Sequence, residues 1–85
     1  MERDEVVERV RAEASRVLDR PASELVEHAR FIEDLGADSL DLIEILMPIE
    51  EHFDIDAGQA GLDHVRTVGD FIAHVLAARP SAATS

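Results

Sequence analysis

Apolar residues recur at intervals of three and four positions in three segments of this chain, and this spacing constrains the fold more than any other feature. It predicts amphipathic helices at residues 2–18, 39–53 and 68–78. The side chains expected to face the core are Val6, Val7, Val10, Ala14, Val17 and Leu18 in the first helix, Leu42, Leu46, Ile49 and Phe53 in the second, and Val68, Phe71, Ile72, Val75 and Leu76 in the third. No segment shows a convincing strand pattern, so the sequence predicts an all-α fold.

Residues typical of helix ends flank these segments. Pro21 follows the first helix and disfavours helical geometry in the residue before it. Asp38 is a good N-cap for the second helix, with Asp41 three residues later as its capping-box partner. Thr67 is placed to cap the third helix.

Pro48 lies inside the second predicted helix. Its ring removes one backbone hydrogen bond and clashes with the carbonyl of Glu44, at a cost of about 3 kcal/mol. The helix therefore either bends at this point or ends early. Because the apolar pattern continues to Phe53, we favour a bent helix.

A long loop, residues 21–38, separates the first two predicted helices. Loops of this length are usually functional or disordered. We expect Ser23 to cap a short turn within this loop. Phe31, Ile32 and Leu35 are apolar in an otherwise polar loop, and we expect at least Phe31 and Leu35 to anchor it on the core.

Residues 54–61 are predicted to form a flexible loop, followed by a short helical turn at 62–66. The predicted architecture is a small antiparallel bundle of three longer helices plus one short helix. We expect one domain at residues 1–79 and a disordered tail at 80–85.

The chain has 85 residues and a net charge of −11. Such a charge argues against nucleic acid and anionic membranes, both of which attract basic proteins. There is no cysteine, so disulfides and thiolate metal sites are excluded. No apolar stretch is long enough to span a bilayer, and the first residues lack the apolar region of a secretory signal. These features predict a cytoplasmic protein without membrane insertion.

The two signs of charge are separated along the sequence. Six of the eight arginines lie at or before Arg30, and no arginine or lysine occurs from Phe31 to Val65. A charge run is most often a solvated face, but one so concentrated also favours steering of a basic partner. The acids of this segment are Glu33, Asp34, Asp38, Asp41, Glu44, Glu50, Glu51, Asp54, Asp56 and Asp63.

Ser39, at the start of the second helix, has two interpretations on its pattern alone. Serine and aspartate at a helix start are usually caps. A helix N-terminus is also a favourable position for a phosphate, because free amides and the helix dipole attract anions. A catalytic serine is not supported, since no histidine is placed as its base and no Gly-x-Ser-x-Gly elbow is present.

No metal site is predicted. The spacing of Asp54, Asp56 and Gly58 resembles the start of a calcium-binding loop, but its twelfth position is Val65 instead of glutamate. The four histidines lack the spacing of metal ligands.

The segment 35–40, LGADSL, resembles the attachment motif of the acyl carrier proteins. The resemblance covers about residues 4–78. It implies that Ser39 carries 4′-phosphopantetheine, transferred from coenzyme A by a separate magnesium-dependent synthase. Acyl groups would be held on the thiol of this arm as thioesters, and the chain itself would have no catalytic residue. Other matching features are Glu33-Asp34-Leu35, Asp41, Ile43-Glu44, Met47, Glu50-Glu51, Phe53-Asp54 and Thr67-Val68.

The resemblance also implies partners. These are a holo-carrier synthase (a phosphopantetheinyl transferase), a ketosynthase, an acyltransferase and other acyl-processing enzymes, each presenting a basic patch to a monomeric carrier. The residues assigned to partner contact are Asp38, Leu40, Asp41, Ile43, Glu44, Met47, Glu50 and Glu51. Candidates for lining an acyl pocket, for which an ordinary core role is the preferred interpretation, are Phe31, Ile45, Leu46, Ala57, Val65 and Ile72.

Asp38 before the serine is typical of acyl carriers, whereas peptidyl carriers usually have Gly-Gly-x-Ser. This favours fatty-acid or polyketide biosynthesis. Pro48 and the Ala57-Gly58 pair depart from the family pattern, which makes a carrier dedicated to a specialised pathway a credible alternative to the housekeeping fatty-acid carrier. The alternative from a different class is an acidic helical adaptor that is never modified and binds basic partner proteins.

Overall fold

The computed structural model describes residues 2–81, which contain three α-helices, two short 3-10 helices and two short strands. The α-helices confirm the predicted all-α fold. Their bounds are Arg3–Leu18 (α1), Ser39–Phe53 (α2) and Val68–Leu76 (α3); the 3-10 helices are Ala22–Glu24 and Ala60–His64; the strands are Ile55–Asp56 (β1) and Arg79–Pro80 (β2).

The helix α1 packs against both α2 and α3. The second 3-10 helix, Ala60–His64, also contacts both α2 and α3. Buried side chains of α2 and α3 belong to the same apolar core. The position of α2 relative to α3 is therefore set by this core together with α1 and the second 3-10 helix.

The core is apolar throughout, and none of the described residues places a charged or polar side chain in it. Phe31 and Phe71 meet edge to face, with ring centroids 5.7 Å apart. Aromatic pairs of this geometry add about 0.5–1.5 kcal/mol to the effect of burial alone. The buried side chains are those of Val6, Val10, Ala14, Leu25, Ala29, Phe31, Leu35, Ala37, Leu42, Ile45, Leu46, Ile49, Leu62, Val65, Val68, Phe71, Ile72 and Val75.

Most of the predicted core positions are confirmed. The predicted core residues that are only partly buried are Val7, Val17, Leu18 and Phe53, and all but Val7 lie at or near a helix end. Phe53 is the last residue of α2 and is only half-buried, and Leu76 at the end of α3 is 37% exposed. The helix α2 is continuous through Pro48, which rules out the early stop.

The two strands correct the prediction that the chain has none. β1 pairs antiparallel with β2, with Ile55 opposite Pro80 and Asp56 opposite Arg79. Ser81 N–H adds a bond to Asp54 O at 3.0 Å. Pro80 and Ser81, which the sequence assigned to a tail, thus make backbone contacts with the segment after α2. The other residues of the predicted tail, 82–85, lie outside the described residues.

The long loop also differs in detail from the prediction. The 3-10 helix Ala22–Glu24 in this loop follows Pro21, whose side chain makes no capping hydrogen bond. Ser23 lies inside this turn instead of capping it. The reason is that Pro21 presets the backbone angle needed at the start of a turn, so no capping side chain is required. No helix among residues 2–81 is both long and apolar enough to cross a membrane.

Thr67 caps α3 as predicted, and Asp70 completes the capping box. Asp70 Oδ2 accepts the N–H groups of Arg66 at 3.0 Å and Thr67 at 3.1 Å, while Asp70 N–H donates to Thr67 Oγ1 at 3.0 Å. The bonds from Arg66 and Thr67 lower the pKa of Asp70. The folded state therefore favours the ionised carboxylate.

A lowered pKa in the folded state makes stability depend on pH. The contribution of Asp70 is present above the aspartate pKa of the unfolded chain, about 3.9, and is lost as the pH falls through the lower folded value. We expect Asp70→Asn to lose stability at neutral pH and to show a shallower loss on acidification than the wild type. Urea unfolding between neutral pH and pH ~2 measures the stability at neutral pH and its loss on acidification. Asp63→Asn, which replaces an exposed carboxylate in the second 3-10 helix, is the control.

Candidate functional site

The start of α2 is fixed by a reciprocal capping box, as predicted. Asp38 Oδ1 accepts Asp41 N–H at 2.9 Å, and Asp41 Oδ2 accepts Asp38 N–H at 3.0 Å. Ser39 is the first helical residue and its side chain is exposed. Because Asp38 supplies the cap, the hydroxyl of Ser39 is not needed to hold the helix end. The side chain that caps α2 is therefore that of Asp38, and not that of Ser39.

The chain reaches this helix through a tightly held turn. Phe31 and Leu35 are 1% and 5% exposed, which confirms that they anchor the loop. Phe31 N–H donates to Arg66 O at 2.9 Å, and Ala37 N–H donates to Phe31 O at 2.8 Å. Gly36 has a φ of 68°, a left-handed conformation that side chains rarely adopt. The position of Ser39 is thus set by the core and by the start of α3.

An ion pair reinforces the same turn. Asp34 accepts the Arg30 backbone N–H at 2.9 Å, and its carboxylate lies 3.3 Å from the Arg30 guanidinium. The backbone bond, followed by the side-chain bond, lowers the pKa of Asp34. The same side-chain bond raises the pKa of Arg30. Both groups are exposed, so this pair shapes the turn more than it adds stability.

One face of α2 presents apolar and acidic side chains to solvent. We call Leu40, Glu44, Met47 and Glu51 the exposed ridge. Leu40 is 60% exposed and Met47 is 53% exposed, although both are large apolar residues. Glu44 and Glu51 are exposed beside them. The four residues are spaced by three and four positions, so they lie on one side of the helix.

The other residues predicted to contact partners already make contacts within the chain. Asp38 and Asp41 are engaged in the capping box, and Ile43 is half-buried against the core. Glu50 is half-buried, and its Oε2 accepts the N–H of Ala57 at 3.0 Å. Glu50 therefore holds the segment after α2, a role that the sequence analysis missed. A glutamate near the end of a helix, seven residues before a loop amide, gives no distinctive sequence signal.

The residues predicted to line an acyl pocket lie in the core or at its edge. Phe31, Ile45, Leu46 and Ile72 are at most 1% exposed, and Val65 is 9% exposed. Ala57 is half-buried and packs against the core. In this structure these side chains fill the space between the helices.

No cluster of side chains suitable for a metal ion occurs within residues 2–81. The Ser39 hydroxyl also makes no hydrogen bond to a histidine in this part of the chain. His52 lies 3.5 Å from an Arg9 nitrogen, and His74 bonds to Gly58 O. The site thus offers a displayed hydroxyl at a helix N-terminus, and no histidine among residues 2–81 is hydrogen-bonded to it as the base of a catalytic serine would be.

Comparison with known proteins shows the family. Residues 8–75 match the family described as "Phosphopantetheine attachment site". The chain is 46% identical over 68 residues to a protein named "Acyl carrier protein" from Phenylobacterium zucineum strain HLK1, covering 80% of this chain and 86% of that protein. The chain belongs to the acyl carrier proteins.

Two further relatives carry the same name. The carrier from Thermotoga maritima is 37% identical over 73 residues, covering 86% of this chain and 90% of its own. The carrier from Chlamydia felis is 50% identical over 54 residues, covering 64% of this chain and 69% of its own.

This membership decides what the carrier does. It holds acyl intermediates on a phosphopantetheine group and interacts with acyl-processing enzymes. It is not an enzyme, since the chemistry belongs to those partners. A phosphate-bearing arm fits the observed site, because the α2 N-terminus displays an exposed hydroxyl and helix N-termini favour anions.

Proposed function

We propose that Ser39 is the residue that carries the 4′-phosphopantetheine arm. The observation that supports this most is the exposure of its hydroxyl on the first residue of a helix already capped by Asp38. The Ser39 oxygen would form a phosphodiester with the phosphate of the arm as the pyrophosphate bond of coenzyme A breaks. The adenosine bisphosphate half would leave, and the transferase would remove the hydroxyl proton. The amides and dipole of the first turn of α2 would then stabilise the phosphate charge.

The test is the intact mass of the protein after incubation with coenzyme A, magnesium and a broad-specificity phosphopantetheinyl transferase. The expected result is the addition of one arm, found by peptide mapping on the peptide that contains Ser39. Addition at Ser15 or Ser23, the other serines within residues 8–75, would contradict the assignment.

We further propose that this carrier serves fatty-acid or polyketide biosynthesis. Asp38 before the serine supports an acyl carrier over a peptidyl carrier. Pro48 and the Ala57-Gly58 pair set this chain apart from the usual family pattern and favour a specialised pathway. Loading by fatty-acid elongation enzymes would identify a housekeeping carrier, whereas poor coupling to them would identify a dedicated one.

The exposed ridge is the proposed contact surface for the partners, which include the holo-carrier synthase, a ketosynthase and an acyltransferase. Leu40 and Met47 would supply apolar contacts, and Glu44 and Glu51 would attract basic patches. A small, charged interface suits partners that must bind quickly and leave quickly. Because no arginine or lysine occurs from Phe31 to Val65, the ridge has no nearby cation along the chain to compete with a partner.

Reversing the charge of the ridge should slow partner binding. We expect the double variant Glu44→Lys, Glu51→Lys to lower kcat/KM for arm transfer by about tenfold or more at low salt, since steering depends on charge. The transfer rate at several carrier concentrations measures this. The difference from the wild type should shrink as salt is raised, because exposed charges are screened.

A variant with the same net charge change separates steering by the ridge from the effect of total charge. Glu5→Lys with Glu8→Lys alters two exposed acids of α1 and leaves α2 intact. This control should transfer the arm at nearly the wild-type rate. Equal losses in both double variants would show that the ridge has no special role.

We propose that Phe31, Ile45, Leu46, Ala57, Val65 and Ile72 can part to admit an acyl chain. Burial of each methylene contributes about 0.8 kcal/mol, which favours shelter for a chain of several carbons. Because these side chains fill their space in the structure, this requires them to move. We also propose a monomeric domain of residues 1–79 in the cytoplasm, where coenzyme A supplies the arm.

The alternative of an acidic adaptor that is never modified is not supported, because residues 8–75 match a phosphopantetheine attachment family.

A further inference from the structure

The segment that joins α2 to α3 is held at two points by side chains from the two helices. We call residues 57–61 the strap. Glu50 of α2 accepts the N–H of Ala57 at 3.0 Å. His74 of α3 bonds through Nε2 to Gly58 O at 2.8 Å. The strap is therefore joined by side-chain hydrogen bonds to both α2 and α3.

The hydrogen bond between His74 and Gly58 defines which nitrogen of the His74 ring carries a proton. A carbonyl oxygen can only accept a hydrogen bond, so Nε2 of His74 must carry the proton and donate it to Gly58 O. The ring is half-buried, whereas Gln59 and Ala60 of the strap are exposed. Ala57 packs against the core at one end of the strap, and buried Leu62 follows its other end. Between these anchors, the positions of Gly58 and Gln59 depend on the two hydrogen bonds.

Two glycines make room for this arrangement. Gly58 has a φ of 79°, which directs its carbonyl in a way that other residues rarely permit. A Cβ on Gly61 would overlap Cε1 of the His74 ring and would lie 3.0 Å from Nδ1. The ring therefore rests directly on the backbone of the strap, at a position that only glycine leaves open.

We propose that His74 is a positioning residue that holds the strap in place between α2 and α3, and that movement of the strap away from these helices admits the acyl chain. The second half of this inference rests on the proposed function. The strap includes Ala57 and leads to Val65, both candidates for the acyl pocket, and it begins two residues after Ile55, which packs against the core. Breaking the hydrogen bond from His74 to Gly58 would allow the strap to move while α1 still packs against both α2 and α3.

Amide hydrogen exchange on the unmodified chain tests the first half without any arm. In His74→Leu, which keeps the size of the side chain but has no donor, we expect Ala57 and Leu62 amides to exchange about tenfold faster. His74→Gln retains an N–H donor and should restore slow exchange. Gly61→Ala displaces the ring without altering it and should behave like His74→Leu.

The amides of α3 provide the internal control. Val75 lies one residue from His74 and its exchange should stay within about twofold of the wild type, because the α3 backbone bonds are intact in all three variants. Unchanged exchange in the strap of His74→Leu would overturn the inference. Equal acceleration in the strap and in α3 would also overturn it, since His74 would then stabilise the whole fold.

The acyl half is tested by comparing two loaded forms of the same protein. The difference in unfolding midpoint between the octanoyl form and the form with the bare arm reports how far the chain is buried. We expect this difference to be larger in His74→Leu than in the wild type, because the strap of the variant is already released. An equal difference would overturn the acyl role, while failure of Ser39 to accept the arm would instead contradict the proposed function.

Discussion

Ser39→Ala is expected to abolish attachment of the phosphopantetheine arm completely. The arm needs an oxygen for its phosphodiester, and alanine provides none. The intact mass of this variant should remain that of the unmodified chain after incubation with coenzyme A and the transferase, under conditions in which the wild type is fully converted. Any process that depends on a loaded carrier should be lost with it.

The fold of Ser39→Ala should survive, because Asp38 supplies the cap of α2 and alanine is favourable in a helix. Its urea unfolding midpoint should therefore match that of the wild type. Ser23→Ala, which changes an exposed serine in the first 3-10 helix, is the matched control and should accept the arm normally. Conversion of Ser39→Ala would show that the arm is attached elsewhere.

Phe31→Ala is expected to have the largest effect on stability. The ring is 1% exposed and packs edge to face on Phe71. Removing a buried phenylalanine ring costs about 3–5 kcal/mol, and the total stability of a small domain begins at about 5 kcal/mol. We therefore expect most of the variant to be unfolded at 37 °C, as measured by circular dichroism during thermal and urea unfolding.

The neighbouring residue is a matched control within the same loop. Ile32 is 61% exposed, so Ile32→Ala should change the free energy of unfolding by no more than about 0.5 kcal/mol. Phe31→Leu should fall between the two, since it keeps apolar volume but loses the aromatic contact. Similar losses in Ile32→Ala and Phe31→Ala would mean that Phe31 does not anchor the loop.

Local patterns were sufficient to predict the helices and the start of the site. Asp38, Asp41 and Thr67 mark helix starts through bonds that span only three residues, so their roles can be read from the sequence. Apolar periodicity likewise identified most of the core, because a helix repeats its buried face every three or four residues. Anchoring by Phe31 and Leu35 was predicted because they are apolar in an otherwise polar loop, although this pattern does not distinguish buried Phe31 from exposed Ile32 beside it.

Contacts between distant parts of the chain were not predictable in this way. β1 and β2 have only two residues each, which is too few to show the alternating apolar pattern that predicts a strand. The pairing of Asp56 with Arg79 could therefore not be predicted from the sequence. The bond from His74 to Gly58 spans 16 residues and depends on the relative position of α3 and the strap. Such contacts are consequences of packing, which a local pattern does not specify.

The pairing of β1 with β2 has a practical consequence for experiments. It brings Ser81 to the edge of a groove of about 310 Å³ that is lined also by Met47, Glu50, Glu51, Asp54 and Ile55. A tag appended after residue 85 would be joined to Ser81 by a linker reaching at most about 14 Å. A fluorescent protein fused there would occupy space beside the exposed ridge, so labels for affinity measurements belong at the other terminus.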